Sequence, residues 1–250
     1  MKKISAIIPT LNEEIHIEAA IKSVNFADEI IVIDSYSTDK TLEIAENYNV
    51  KIIKRKFDDF SSQKNYAIEQ ATHPWIYILD ADERVTPSVQ EEILEAVKNP
   101  KNKVGFYVRR SFYFAGKNIH YGGCQRDRVV RLFLKEQCRY KGVVHETIEA
   151  NGELGFFKNK IEHYSYKGFD HYISKMNHYG ELRAKEYYKK KKKINYLFHI
   201  IIKPLARFFI HFIFRLGFLD GFQGFLFARC QAYGVYVRYV KLWLLSKKVS

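Results

Sequence analysis

The sequence predicts an α/β fold: a mostly parallel sheet over residues 1–180, followed by a basic, amphipathic helical region over residues 181–250. Three observations predict it. Short apolar runs alternate with helical patterns through the first 100 residues, carboxylates recur where those runs end, and the net charge sits almost wholly in the last 70 residues. Strands alternating with helices imply right-handed crossovers and a parallel sheet. Runs that are apolar throughout, rather than alternating, imply that helices cover both faces.

In order, Ile4 to Pro9 is the first strand and a helix follows from about Glu13 to Ser23. Ile30 to Asp34 is the second, with a helix from about Asp39 to Tyr48 capped by Ser37 or Thr38. Val50 to Lys54 is the third, then a helix from about Ser61 to Ala71, then the apolar run Trp75-Ile76-Tyr77-Ile78-Leu79 ending at Asp80. Thr86-Pro87 opens another helix, with proline at its first position. Asp80 and Asp82 are two residues apart, a spacing that on a strand puts both side chains on one face. They are therefore expected to converge beyond the carboxyl edge of the sheet, where open α/β sheets bind ligands. Two hard oxygen donors there suit Mg²⁺ or Mn²⁺, with substrate phosphates completing the shell. The plainer alternative is a strand end whose acids cap a helix.

Beyond residue 103 the pattern changes to isolated strands, Val104 to Arg110 and Arg128 to Leu134, which extend the sheet, with turns such as Tyr121-Gly122-Gly123. Arg126 and Arg128 share one strand face while Arg131 points to the other. One or more of them meets phosphate or simply lines a sheet edge. Cys124, Cys138 and Cys230 are an odd set without metal-site spacing, which favours a reducing, cytoplasmic setting over a disulfide framework. The start resembles a signal peptide, but Pro9 ends its apolar run after five residues, too few for a signal core.

The formal net charge is +13. From Gly180 onward fifteen Lys and Arg face three acidic residues, a net +12 that leaves residues 1–179 at +1. Within Leu197 to Leu219, Lys203, Arg207, His211 and Arg215 recur every four residues, a sector of roughly 120° on a 3.6-residue helix. The rest of that surface is apolar. A bilayer span needs about 20 residues, yet each central Arg or Lys costs about 2.5–3.5 kcal/mol on insertion scales. Lying in the membrane plane with the basic side chains reaching the headgroups is cheaper. The alternatives are a soluble core helix with a solvated stripe and a nucleic-acid surface. The second is disfavoured because the cations lie among bulky aliphatics, so no nucleic-acid partner is expected.

Three strings now fall together. Ile7-Ile8-Pro9-Thr10-Leu11-Asn12-Glu13-Glu14 ends the first strand, Val32-Ile33-Asp34-Ser35-Tyr36-Ser37-Thr38-Asp39-Lys40-Thr41 ends the second, and the Asp80/Asp82 pair ends the fourth. The combination resembles glycosyltransferase family 2, the inverting GT-A enzymes with a Rossmann-like sheet, and within it the bacterial lipopolysaccharide-core β-glycosyltransferases. The likeness is strongest over residues 4–84, continues in Tyr140-Lys141-Gly142-Val143-Val144-His145-Glu146, and is looser in Asp220-Gly221-Phe222-Gln223-Gly224.

That resemblance implies a UDP-sugar donor, most simply UDP-glucose, a divalent cation, and a lipid-linked core saccharide as acceptor. It places Pro9, Thr10, Asn12 and Glu13 in the nucleotide pocket and Asp34 at the uracil or its neighbour. Asn12 and Ser37 also read as helix caps. Lys64 takes the place of a basic residue near the nucleotide, with a solvated helix lysine as the alternative. Asp82 is the implied direct metal ligand, Asp80 lies nearer ribose or a metal-bound water, and His163 completes the metal site or is structural. Glu146 aligns with the catalytic acid–base position; the pair here is His-Glu rather than the family's Glu-Asp, so His145 stays a second candidate. Peripheral attachment to the anionic cytoplasmic face of the inner membrane is the implied location. Transfer to a polyprenyl phosphate and a non-catalytic nucleotide-sugar-binding scaffold are the rival readings. A nucleotidyltransferase lacks support, since no Gly-rich basic loop follows the first strand.

Overall fold

Ile4, Ala6 and Ile8 of the first strand pack with Ile17, Ala20, Ile21 and Trp75, while Ile7 packs with Ile31, Ile33, Ile68 and Ile76 on the other face. This two-sided burial is why the strand is apolar throughout. The computed structural model describes residues 3–124, 127–142, 147–164 and 168–248. The chain divides into two units, Met1–Arg110 with Arg128–His163, and Ser111–Asp127 with Tyr164–Ser250. The boundary expected after residue 180 falls inside a helix that begins at Phe169.

In the first unit, β1 (Ile4–Thr10), β2 (Glu29–Asp34), β3 (Lys51–Lys54) and β4 (Trp75–Ile78) are parallel in the order β3-β2-β1-β4. Between them run α1 (Ile17–Ser23), α2 (Thr41–Ala45) and α3 (Phe60–Gln70). Thr10 lies in register with Asp34, and Ile7 with Ile78, so three strand ends open on one edge. A short β5 (Glu83–Arg84) precedes α4 (Pro87–Lys98), whose Thr86 hydroxyl caps the Val89 N–H. β6 (Lys103–Phe114) runs from the first unit into the second, where its end pairs with β7 (Lys117–Ile119). β8 (Arg128–Leu134) lies antiparallel between β4 and β6. A separate ribbon joins β9 (Cys138–Lys141) to β10 (Thr147–Ala150), and β11 (Glu153–His163) pairs with β5. The sheet is thus parallel in its N-terminal half and extended by antiparallel strands.

Two expected helices are shorter than their patterns. α1 starts at Ile17 because the preceding loop bonds elsewhere: Asn12 has φ 56° and residues 12–14 bond to the 37–41 loop. Neither Ser37 nor Thr38 caps α2; the Asp39 carboxylate takes the Thr41 N–H.

The second unit is built from α5 (Phe169–Lys189), α6 (Lys203–Phe209) and α7 (Gly221–Lys247). α5 lies on α7 at small residues: a Cβ on Gly180 would sit 2.9 Å from Val237, and one on Gly234 3.1 Å from the Met176 sulfur. Wide π-helical turns flank α6 over Leu197–Ile202 and Ile210–Phe214. Pro204 has no N–H to return to the Ile200 carbonyl, and the wide turn precedes it. The helix ends at Phe214, not Leu219, because Leu216 turns left-handed at φ 59°.

Most of the basic stripe of this helix turns inward, contrary to the expectation that it reaches outward: His211 is buried, Lys203 and Arg207 are half-buried, and Arg215 alone of the four is exposed. Lys203 Nζ donates to the Tyr239 hydroxyl at 3.0 Å. His211 is buried, with Nδ1 2.6 Å from the Gly122 carbonyl oxygen, and the Arg215 carbonyl accepts the Gly122 N–H. The apolar side faces out, with Leu197 62%, Leu205 51% and Phe214 78% exposed. Leu197–Phe214, 18 residues of mean hydropathy 1.6, is by length and composition long and apolar enough to cross a membrane.

The Asp220-to-Gly224 string has a structural basis. Buried Asp220 accepts the N–H groups of His120 (3.1 Å) and Tyr121 (2.8 Å), and a Cβ on Gly224 would come 1.9 Å from the Gly217 carbonyl oxygen. That oxygen belongs to the backbone and cannot step aside. Gly224→Ala is expected to destabilise this unit by at least about 2 kcal/mol. Asp220→Ala leaves two backbone donors unmet and should cost about 2–3 kcal/mol, with Asp220→Asn milder because one acceptor remains. Chemical denaturation in mild detergent, followed by circular dichroism, measures all three.

Candidate active site

The edge where β1, β2 and β4 end is shaped first by a lock between two loops. Asn12 Oδ1 accepts the Thr38 N–H at 2.8 Å, the Asn12 N–H donates to Ser37 Oγ at 2.9 Å, and the Glu13 N–H donates to Thr41 Oγ1 at 2.8 Å. Buried Asp34 takes both the Ser37 N–H (2.9 Å) and its hydroxyl (2.5 Å). Asp34 therefore holds the β2 loop in shape as well as lining the edge. Pro9 lies past the last β1–β4 pair, so its missing N–H leaves no ladder bond unmade on that side. Thr10 Oγ1 is buried without a hydrogen-bond partner among the described residues. A buried polar atom without a partner is costly unless something binds it.

Beside this lock sits a dense ionic cluster. Asp80 follows β4 and pairs with Arg131 in a short contact and with Lys64 at 3.4 Å. Fully buried Glu83 pairs with Arg131 at 2.6 Å and Arg110 at 3.4 Å, and its other oxygen accepts the Asp80 N–H at 3.3 Å. β8 delivers Arg131, because the antiparallel register sets Leu132 beside Tyr77. Burial alone would raise the Asp80 pKa, but Arg131 and then Lys64 outweigh it and hold the carboxyl well below the usual carboxylate range. Lys64 is no solvated helix lysine: it is buried, with Nζ over the Tyr140 ring at 5.1 Å. Arg131, Lys64 and Arg110 thus bring cationic groups to the edge, which an anion such as a diphosphate can meet.

Asp82 departs from the expected convergence with Asp80. The strand has already ended, and the Glu83 N–H bonds back to the Asp80 carbonyl at 2.8 Å, so a turn replaces the two-residue period. Arg84 fixes that turn by donating to the carbonyls of Ala81 (2.7 Å) and His16 (3.0 Å). Asp82 instead faces His163, Oδ2 to Nε2 3.5 Å, because β5 pairs Glu83 with His163. Adjacent ligands of a six-coordinate cation with bonds of about 2.1 Å lie roughly 3 Å apart. One carboxylate and one imidazole at this spacing fit a divalent cation. The described residues hold no group of three or more His, Cys, Asp or Glu, so phosphate oxygens and water would supply the remaining ligands.

Glu146, His145 and Arg126 lie outside the described residues. Both flanks of the 143–146 segment are held in this unit: Lys141 pairs with Thr147, and the Ser61 hydroxyl donates to the Gly142 carbonyl at 2.6 Å. The expectation that Arg128 and Arg131 point to opposite faces is not met by simple alternation: the β8 register is irregular between them, with Phe106 beside Leu132 and Tyr107 beside Val130, and both border one cavity. Arg128 is exposed with its guanidinium 5.3 Å from the Tyr107 and Phe156 rings. Sequence reasoning missed Glu83, Arg84 and Arg110. One signal was available: Arg131 is set in the apolar run Val129-Val130-Arg131-Leu132-Phe133, and a cation inside a buried strand requires buried acids to meet it.

Residues 5–152 match the family model described as Glycosyl transferase family 2. An "Uncharacterized glycosyltransferase" of Rickettsia bellii is 32% identical over 259 residues, 98% of this chain and 87% of that protein. The lipopolysaccharide core biosynthesis glycosyltransferase LpsC of Rhizobium meliloti is 28% identical over 252 residues, covering 94% and 93%. The crystal structure of glucosyl-3-phosphoglycerate synthase from Mycobacterium tuberculosis with Mn²⁺, UDP and glucosyl-3-phosphoglycerate is 23% identical, with a TM-score of 0.38 over 46% of this chain and 45% of that one. With more than half of its length matched by the family model, and a similarly long relative at 32% identity, this α/β chain of GT-A type is a glycosyltransferase and belongs to glycosyl transferase family 2.

Proposed function

We propose that the protein transfers a hexose, with glucose the simplest candidate, from a UDP-sugar to a lipid-linked saccharide of the lipopolysaccharide-core type, with inversion. The observation that carries this is the pairing of Asp82 with His163 beside an Asp80 held ionised by Lys64 and Arg131, all at the edge where the parallel strands end. The chemistry needs two things there: a departing diphosphate must be stabilised, and an incoming hydroxyl must lose its proton. Thr10, with its unmet buried hydroxyl, and Pro9, Asn12, Glu13 and Asp34 hold the nucleoside. Lys64 and Arg131 present positive charge to the diphosphate without moving, since their own partners fix them. Asp82 and His163 hold Mg²⁺ or Mn²⁺, which when bound acts as Lewis acid and template for the leaving group. Glu146 takes the proton from the acceptor hydroxyl. The acceptor class rests on the likeness to LpsC over nearly the whole of both chains.

The second unit is proposed to seat the enzyme on the membrane that carries its acceptor, at the cytoplasmic face. Its outward apolar helix supplies burial that salt does not screen. Lys189 to Lys193, exposed from Lys189 onward, add attraction to anionic lipid of up to about 1 kcal/mol per residue.

Asp82→Asn keeps the side-chain shape and removes the charge that holds the cation. Transfer should fall at least about 100-fold, and EDTA should do the same to the unaltered protein. Full activity in either experiment sinks the metal-dependent reading. Glu146→Gln should lower turnover by about 10²–10⁴ while UDP affinity stays within a few-fold; lost UDP binding with turnover retained moves Glu146 to the donor site. In vesicle co-sedimentation the full-length chain should stay bound to anionic vesicles at high salt. Phe209→Glu with Phe214→Glu should release it, and neutralising the lysine run should matter only at low salt. A full-length chain left in the supernatant at low salt overturns the membrane assignment.

A further inference from the structure

On the side of Asp80 toward β8 lies a cavity of about 330 Å³ lined by arginines and aromatic rings, wholly within the first unit. Asp80 and Arg131 form one wall, and Thr147, the residue after Glu146 in the chain, belongs to another. Tyr107 and Tyr140 also line it, giving the cavity an aromatic side of the kind that borders sugar sites. The volume is at the low end for ligand sites, enough for one sugar unit.

The charges in this cavity are not equivalent. Arg131 is met by Asp80 and Glu83, and Arg110 shares Glu83. Arg128 has no acidic partner among the described residues; aromatic contacts with Tyr107 and Phe156 hold it instead. Stacking constrains a guanidinium while leaving its N–H edge available, and that planar fork matches a carboxylate or a phosphate. Arg128 is exposed, so water meets its charge until an anionic group takes that place.

We propose that this cavity is the acceptor subsite, that it takes a sugar bearing a carboxylate or phosphate group, and that Arg128 is the residue that selects for that charge. The assignment of the cavity to an acceptor rests on the function proposed above. The charge preference rests on Arg128 alone.

The test measures binding of glucose, glucuronate and glucose 6-phosphate to the full-length protein, with and without UDP and Mn²⁺, by ligand-observed NMR titration. At least one charged sugar should bind about ten-fold or more tightly than glucose, since a charge-assisted bidentate contact is worth at least that; the tighter of the two identifies the group. Arg128→Met should bring that sugar to the affinity of glucose, and Arg128→Lys should restore part of the preference. Equal binding of all three sugars, or a preference that survives Arg128→Met, overturns the proposal. So does an Arg128→Met variant that loses UDP affinity in step with the charged sugar, because the cavity then belongs to the donor. If UDP fails to bind the unaltered protein while the charge preference depends on Arg128, the donor reading fails and the anion-selective sugar site stands.

Discussion

Arg131 brings a full positive charge into the interior of the α/β unit, and the site is organised around meeting it. A buried cation without partners is prohibitive, and breaking a buried pair by removing one member costs about 3–5 kcal/mol. Asp80 and Glu83 supply the partners, from a turn whose position is set in turn by Arg84 and by the β5–β11 pairing. The demand runs in both directions. It fixes β8 beside β4 in the register that lets Arg131 reach past the strand end, and it prevents the Asp80-to-Glu83 turn from relaxing outward. Asp82 and His163 owe their facing arrangement to this turn, although neither touches Arg131. The cluster therefore serves geometry more than net stability, because well-packed apolar side chains of similar volume often do as well in such a place.

The parallel half of the sheet was legible in the sequence because its signal is local. Runs such as Ile4-Ser5-Ala6-Ile7-Ile8 are buried on both faces, and each is followed by its helix. The candidate edge was legible for the same reason: Thr10 and Asp34 end parallel strands, Asp80 closely follows another, and parallel strands end on one side. What failed was local geometry just past a strand end. The two-residue period was extended to Asp80 and Asp82, where backbone bonds had already closed a turn. The partners of Arg131 were hidden because antiparallel β8 finds β4 across more than fifty residues, and no spacing rule reaches that far.

The stripe of Lys203, Arg207, His211 and Arg215 shows a different limit. Periodicity locates an amphipathic stripe but carries no sign for which side is inside. The insertion cost of charged side chains placed these residues at the headgroups, on the assumption that the charged side is the outer one. Here Lys203 and His211 reach Tyr239 and the Gly122 carbonyl, and the exposed side is aliphatic and aromatic. Such an inversion suits the membrane seating proposed above, where the outward apolar side is buried in lipid.

The lock between the loops that follow β1 and β2 has a consequence for the entropy of ligand capture. Asn12, Glu13 and Glu14 have their backbone donors satisfied across to Ser37, Thr41 and Asp39 before any nucleotide arrives. Segments that must order on binding subtract that ordering from the affinity. These two loops order during folding instead, so the nucleotide of the proposed donor would meet a rim already in shape. Recognition there should resemble a rigid key-seat, with fast capture and small backbone displacement, and any slow closing step belongs to some other part of the chain.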